Sequence, residues 1–144
     1  LSSRIAVGDS GYLEPFVSLT LNDFSFDADP RYGDNELPAA PEYVLRGELI
    51  YRSASGFHIG PTLDVVGDRF ADFANTYAVD SYVLYGLRAG WANAKWRVFA
   101  DLRNLGDEDY IGSHGVRGIA DTDAAILNPG EPRSVYFGFE GRFE

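Results

Sequence analysis

Apolar and polar residues alternate with a period of two along most of this chain, the pattern of strands with one apolar face. Trp96, Val98, Ala100 and Leu102 share one side, and Arg97, Phe99, Asp101 and Arg103 take the other. Near the end, Val135, Phe137, Phe139, Gly141 and Phe143 alternate with Ser134, Tyr136, Gly138, Glu140 and Arg142. Phe57, Ile59, Pro61, Leu63 and Val65 oppose His58, Gly60, Thr62 and Asp64. Val83, Tyr85, Leu87, Ala89 and Trp91 form a further apolar row, as do Leu45, Leu49 and Tyr51 against Arg46, Glu48 and Arg52. The stretch from Phe16 to Phe26 is apolar with a slip of phase near Asn22, read as a β-bulge.

This pattern predicts six strands, at about 15–27, 43–53, 56–68, 80–91, 95–105 and 133–143. Residues 1–14 are expected to hold the end of a preceding strand and a turn, and 15–144 the strands themselves. The links alternate in length. Ser53-Ala54-Ser55-Gly56 and Ala92-Asn93-Ala94-Lys95 read as tight turns, while 27–42, 68–80 and 106–133 are long loops. Short turns at one end and long loops at the other are the plan of an outer-membrane barrel. Six strands are too few to close one, since the smallest have about eight. The missing strands belong either to a longer chain or to further copies.

Charge follows the same division. Of 22 acids and 12 bases, the three long loops hold 14 acids and 4 bases, so the strands are balanced and the net charge of −10 resides in the loops. A balanced polar face suits a lumen and an uncharged face suits lipid. Tyr51, Phe57, Trp91, Trp96 and Phe143 gather at the short-turn end, where rings would form an interfacial girdle. In a soluble sandwich the same rings would be core. Aromatic residues (15%) and 16 glycines favour β structure, and no apolar run is long enough for a transmembrane helix. Cys and Met are both absent. No thiol chemistry is available, and the sequence reads as a processed product or an excerpt, with any targeting signal upstream.

Candidate chemistry is sparse. His58 reads as a hydrogen-bonding wall residue and His114 as a solvated loop residue. Asp107, Glu108, Asp109, Asp121 and Asp123 supply oxygen ligands of the type Ca²⁺ takes, without the spacing of an EF-hand, so no metal site is assigned. Arg46, Arg52, Arg88, Arg97, Arg103 and Arg142 would face Glu48, Asp101 and Glu140 in wall salt bridges. No phosphate loop, metal cluster or nucleophile elbow occurs, so neither an enzyme nor a cofactor is expected. The acidic balance argues against nucleic acid as a partner.

Four segments, in order, resemble the C-terminal part of the β-barrel of TonB-dependent outer-membrane receptors. Asn35-Glu36-Leu37-Pro38-Ala39-Ala40-Pro41-Glu42-Tyr43 is similar to that family's Leu-Pro-x-x-Pro lead-in to a late strand. Phe70-Ala71-Asp72-Phe73-Ala74-Asn75-Thr76, followed by Val79-Asp80-Ser81-Tyr82, resembles the next extracellular loop and its return. Asn104-Leu105-Gly106-Asp107-Glu108-Asp109-Tyr110 resembles the Asn-Leu-Phe-Asp-x-x-Tyr signature, with Gly106 in place of Phe. Pro129-Gly130-Glu131-Pro132-Arg133 resembles the Pro-Gly-x-Pro-Arg lead-in to the final strand. The family ends on an aromatic residue read by the barrel-assembly machinery, a role that falls to Phe143, one residue before Glu144.

The resemblance implies an all-β, antiparallel transmembrane barrel segment, the last six strands of a barrel of about 22 with a plugged lumen. It implies a place in the bacterial outer membrane among lipid and lipopolysaccharide. It also implies energised uptake of a scarce small-molecule nutrient, foremost a ferric siderophore, with the TonB complex engaged through an N-terminal region. Two alternatives stand beside it: another outer-membrane barrel of porin type, and a soluble β-sandwich binding module, which would fold as a monomer in plain buffer.

Overall fold

The computed structural model describes residues 4–120 and 127–141. Its main feature is one antiparallel sheet of seven strands in the order of the chain. These are β1 (Ile5–Val7), β2 (Gly11–Leu21), β3 (Tyr43–Ser53), β4 (Phe57–Val66), β7 (Tyr82–Ala92), β8 (Trp96–Arg103) and β11 (Ser134–Gly141). Two small hairpins ride on the long loops: β5 (Arg69–Phe70) with β6 (Ala78–Val79), and β9 (Ile111–His114) with β10 (Leu127–Pro129). Among the described residues there is no helix.

The first long strand differs from the expectation. It begins at Gly11, pairing with Ser53, and ends at Leu21, pairing with Tyr43. The break at Asn22 is a strand end and not a bulge: its N–H donates to Glu42 O (2.8 Å) and its side chain to Pro41 O (2.7 Å). Phe24 and Phe26, read as a continuation of the row, lie in the loop, where Phe26 stacks on Tyr32 at 5.4 Å and packs against Phe73. A seventh strand, β1, precedes the six, joined to β2 across Gly8, whose φ of 61° suits glycine.

Register fixes the faces, because directly paired residues share a side. On one side lie Leu19, Leu45, Val65 and Val83 in one row, then Pro61, Leu87, Leu102 and Val135 in another. No charged residue of these strands falls on that side. It is also uncovered: Phe137 is 82% exposed, Leu21 73% and Val17 71%. The opposite side carries Glu14, Arg46, Glu48, Arg52, His58, Asp64, Arg88, Arg97, Asp101, Arg103 and Glu140.

A sandwich would bury the apolar side under a second sheet. Among the described residues the buried apolar ones are Ile50, Ala71, Val79 and Ala120, and three of those belong to the loop region. Apolar surface of this extent marks a face made to be covered by a membrane or by another protein surface. At the short-turn end Phe57 pairs with Trp91, Trp96 stacks on Phe139 at 5.1 Å, and the Trp91 indole N–H donates to Ser55 O (3.0 Å). Rings with an apolar body and one polar tip suit a membrane–water interface. Phe143 and Arg142 lie outside the described residues.

Candidate functional site

Two regions combine several polar groups: the charged inner face of the sheet and the cap formed by the three long loops. On the inner face alternation places acids and bases on neighbouring strands at the same height, so they pair. Arg88 of β7 reaches Asp101 of β8 (2.8 Å) and Glu48 of β3 (3.0 Å). Arg103 continues the row to Asp101 (3.8 Å) and Glu131 (3.6 Å). Arg46 meets Asp64 (3.2 Å), Arg97 meets Glu140 (3.4 Å), and Glu14 holds both Arg52 and Arg4. Of the expected wall arginines, Arg46, Arg52, Arg88, Arg97 and Arg103 are therefore ion-paired, with Glu14 and Asp64 as two acids the expectation had left out, while Arg142 lies outside the described residues. A depression of about 350 Å³ lies over the centre of this row, lined by Arg46, Glu48, Asp64, Arg88, Asp101 and Arg103 among others. His58 shares this face opposite Gly90, and its ring occupies the space a side chain at 90 would need.

The cap is built by loops 22–42, 67–81 and 104–133 locking onto one another. Asp72 is its centre and is fully buried. Its carboxylate accepts from Thr76 N–H (2.9 Å), Thr76 Oγ1 (2.5 Å), Tyr77 N–H (3.2 Å) and Ala120 N–H (3.0 Å). Burial alone would raise its pKa; the bonds from Thr76, Ala120 and Tyr77 outweigh that and hold it below the ordinary aspartate value. Beside it the Phe73 and Ala74 N–H groups donate to Arg117 O (3.0 Å) and Gly118 O (3.1 Å). Asn75 joins the first loop, accepting from Glu36 N–H (2.7 Å) and donating to Glu36 O (3.0 Å). An Asp followed by Thr four residues on is a side-chain-capped turn, legible in the sequence; its burial by another loop is not.

The motif residues sit where loops leave and rejoin the sheet. Asn104, buried at φ 49°, donates to Glu108 O (2.9 Å) and Glu131 O (3.0 Å) and accepts from Glu108 N–H (2.8 Å). Leu105 N–H donates to Tyr85 O (2.8 Å). Asp107, at φ 56°, accepts from Arg133 N–H (3.1 Å). Tyr110 accepts through its hydroxyl from Glu131 N–H (3.1 Å) and through its carbonyl from Gly130 N–H (2.7 Å). Thus Asn104, Asp107 and Tyr110 bind the segment Pro129 to Arg133, including Pro132, and close the last loop at its neck. A Cβ at Gly106 would meet nothing within 4 Å, so no contact of this clasp depends on a side chain at that position. In the first loop, Leu37 N–H donates to Phe24 O (2.8 Å), and the Pro41 carbonyl receives Asn22. Pro38 precedes Ala39, whose N–H donates to Phe70 O (2.8 Å).

A cleft of about 610 Å³ opens between the second and third loops, lined by Tyr77, Asp80, Glu108, Asp109, Tyr110 and Ile111 among others. Its acids and phenols can take hydrogen-bond donors or a cationic group. His114 is not a solvated loop residue; it is half-buried against Phe70. Among the described residues no group of three or more metal-ligating side chains occurs, and Asp121 and Asp123 lie outside them.

Residues 6–105 match the family described as TonB dependent receptor-like, beta-barrel. Among solved structures, the siderophore receptor PiuA from Acinetobacter baumannii is similar with a TM-score of 0.63 at 18% identity. That match covers 94% of this chain and 20% of the receptor, so the chain spans about a fifth of its length. At that identity the shared property is the fold.

Proposed function

From the premise that this chain belongs to the TonB-dependent receptor β-barrel family, we propose that it forms part of the wall and outer cap of a receptor in the bacterial outer membrane. The receptor takes up a scarce small-molecule nutrient at the expense of energy relayed by the TonB complex, and a ferric siderophore is the foremost class of ligand. The observation that carries this reading is the division of the sheet: an uncharged outer side, an ion-paired inner side and an interlocked cap at one end. Lipid and lipopolysaccharide meet the outer side, and the ion-paired row faces the lumen. The cleft beside Tyr110 forms part of the outer vestibule.

In this reading Leu37, Pro38, Pro41, Asn104, Leu105, Asp107, Tyr110, Pro129, Gly130, Pro132 and Arg133 are structural residues that set the loops on the rim. Phe143 is the aromatic signal for the barrel-assembly machinery. The TonB complex contacts a region outside these 144 residues.

The test has two parts. An antibody against residues 113–128 should detect, in an outer-membrane fraction, a polypeptide several times heavier than 15.9 kDa. Cells carrying it should take up labelled ferric chelates only when TonB is present. Uptake that persists without TonB would favour the porin reading.

A further inference from the structure

The carbonyl of Phe70 is a point at which all three loops meet. It accepts Ala39 N–H (2.8 Å) from the first loop and the His114 imidazole (3.2 Å) from the third. A carbonyl accepts only, so Nε2 carries the proton and Nδ1 of the neutral ring is left as an acceptor. Nδ1 is buried without a partner among the described residues. Next to Phe70, Arg69 is 7% exposed; its Nη2 donates to Ile111 O (2.6 Å), while its Nη1 is likewise buried and unpartnered. The third loop is thus held at both ends of β9 by consecutive residues of β5.

We propose that His114 is a pH-sensitive latch on this cap, closed when the ring is neutral and loosened when it is protonated. Protonation puts a hydrogen on the buried Nδ1 with no acceptor among the described residues to receive it, and sets a second positive charge near the Arg69 guanidinium. Both costs vanish if the third loop leaves β5.

The other neighbours do not offset them. Leu127 stands opposite on β10 and is apolar. Ala39 contributes only a peptide N–H. Of the two carboxylates that flank β5, Asp72 has its oxygens taken by Thr76, Tyr77 and Ala120, and Asp68 accepts from Ser81 N–H. Among the described residues the charge that acts on the ring is that of Arg69, which is positive. Burial lowers the pKa of the ring; the Phe70 bond opposes this, the Arg69 charge adds to it, and the net direction is downward from 6.5. The closed cap is therefore complete above that value, and its docking is lost progressively as pH falls from there toward the folded-state value.

Hydrogen exchange of the receptor in detergent micelles tests this, read at the Phe73, Ala74 and Arg117 amides that bridge the loops. Protection factors, corrected for the intrinsic pH dependence, should fall several-fold between about pH 7.5 and about pH 5.5 in the parent protein. In His114→Gln, whose amide can still donate to Phe70, they should stay level. A parent protein with unchanged protection, or a Gln variant with the same fall, overturns the latch. If the Gln variant is unprotected at both pH values, the ring titration followed by NMR decides. Protonation below the ordinary value and in step with the lost protection supports the latch, and protonation at or above it does not.

Discussion

The ring of Tyr110 occupies the space in which a side chain at Gly130 would stand: a Cβ there would lie 2.1 Å from the ring carbon bearing the hydroxyl. The two residues belong to different motifs, and their contact closes the neck of the third loop. The same ring lies 4.3 Å from that of Tyr82, where the sheet begins again.

Gly130→Ala should therefore expel the Tyr110 ring and break its hydroxyl bond from Glu131 N–H. A lost hydrogen bond together with overpacking predicts a loss of about 2–3 kcal/mol in the loop neck. Tyr110→Phe should lose only the bond, about 1 kcal/mol. Protease nicking within 104–133 reads both, and equal nicking of the two variants and the parent would sink the clasp.

Asp72→Ala removes the acceptor for four donors from Thr76, Tyr77 and Ala120. The orphaned donors predict a cost of about 2–4 kcal/mol, confined to the cap, with the sheet intact. Circular dichroism should keep the β signal while the Ala120 amide loses its protection from exchange.

The same carboxylate gives a second, more acidic transition. Its folded pKa is lowered, so its contribution is complete above the unfolded aspartate value of about 4 and disappears as pH falls through the folded value. Exchange at the Thr76 and Ala120 amides should rise below about pH 4, a step separated from any in the histidine range. A single transition covering both ranges would contradict this assignment.

Ala100 and Phe99 are neighbours on β8 that face opposite sides, Ala100 paired with Phe137 and Phe99 with Gly138. On the proposed lipid side, Ala100→Arg would put a guanidinium in hydrocarbon and should cost about 2–4 kcal/mol near mid-bilayer. Phe99→Arg, on the charged side proposed to face the lumen, should cost markedly less. Denaturant titration of the barrel refolded in lipid distinguishes them, and equal costs would mean that the faces are assigned wrongly.

Arg88→Gln should cost no more than about 1 kcal/mol, despite its contacts with Glu48 and Asp101. The side chain is 40% exposed, so solvent screens the pairs. Its cost should shrink further in high salt, and a loss insensitive to salt would point to packing instead.

The sheet was legible because alternation reports directly which side a residue faces, and the tight turns at 53–56 and 92–95 fix neighbouring registers. Phe24 and Phe26 misled because a loop that packs aromatic residues on Tyr32 and Phe73 looks apolar in the same way a strand does. Within 1–14, expected to hold a strand end and a turn, the bounds of β1 were not legible, because a strand of three residues, Ile5–Val7, is too short to show a period. The neck of the third loop was readable as turn chemistry in Asn104 and Asp107. The burial of Asp72, Arg69 and His114 was not, since it depends on contacts among segments 40 or more residues apart. Charges in loops look solvated until another loop covers them.

The order of strands in space is their order in the chain, so every strand of the main sheet hydrogen-bonds only to those before and after it. Such a wall can be lengthened or shortened by whole hairpins without reversing which way any other side chain faces. Excising β7 and β8 with their turn would bring β4 and β11 together with their directions still opposed. Excising one strand alone would force two parallel neighbours and carry a loop across to the wrong rim. The chain is in this sense a paired ribbon whose natural unit of gain or loss is two strands.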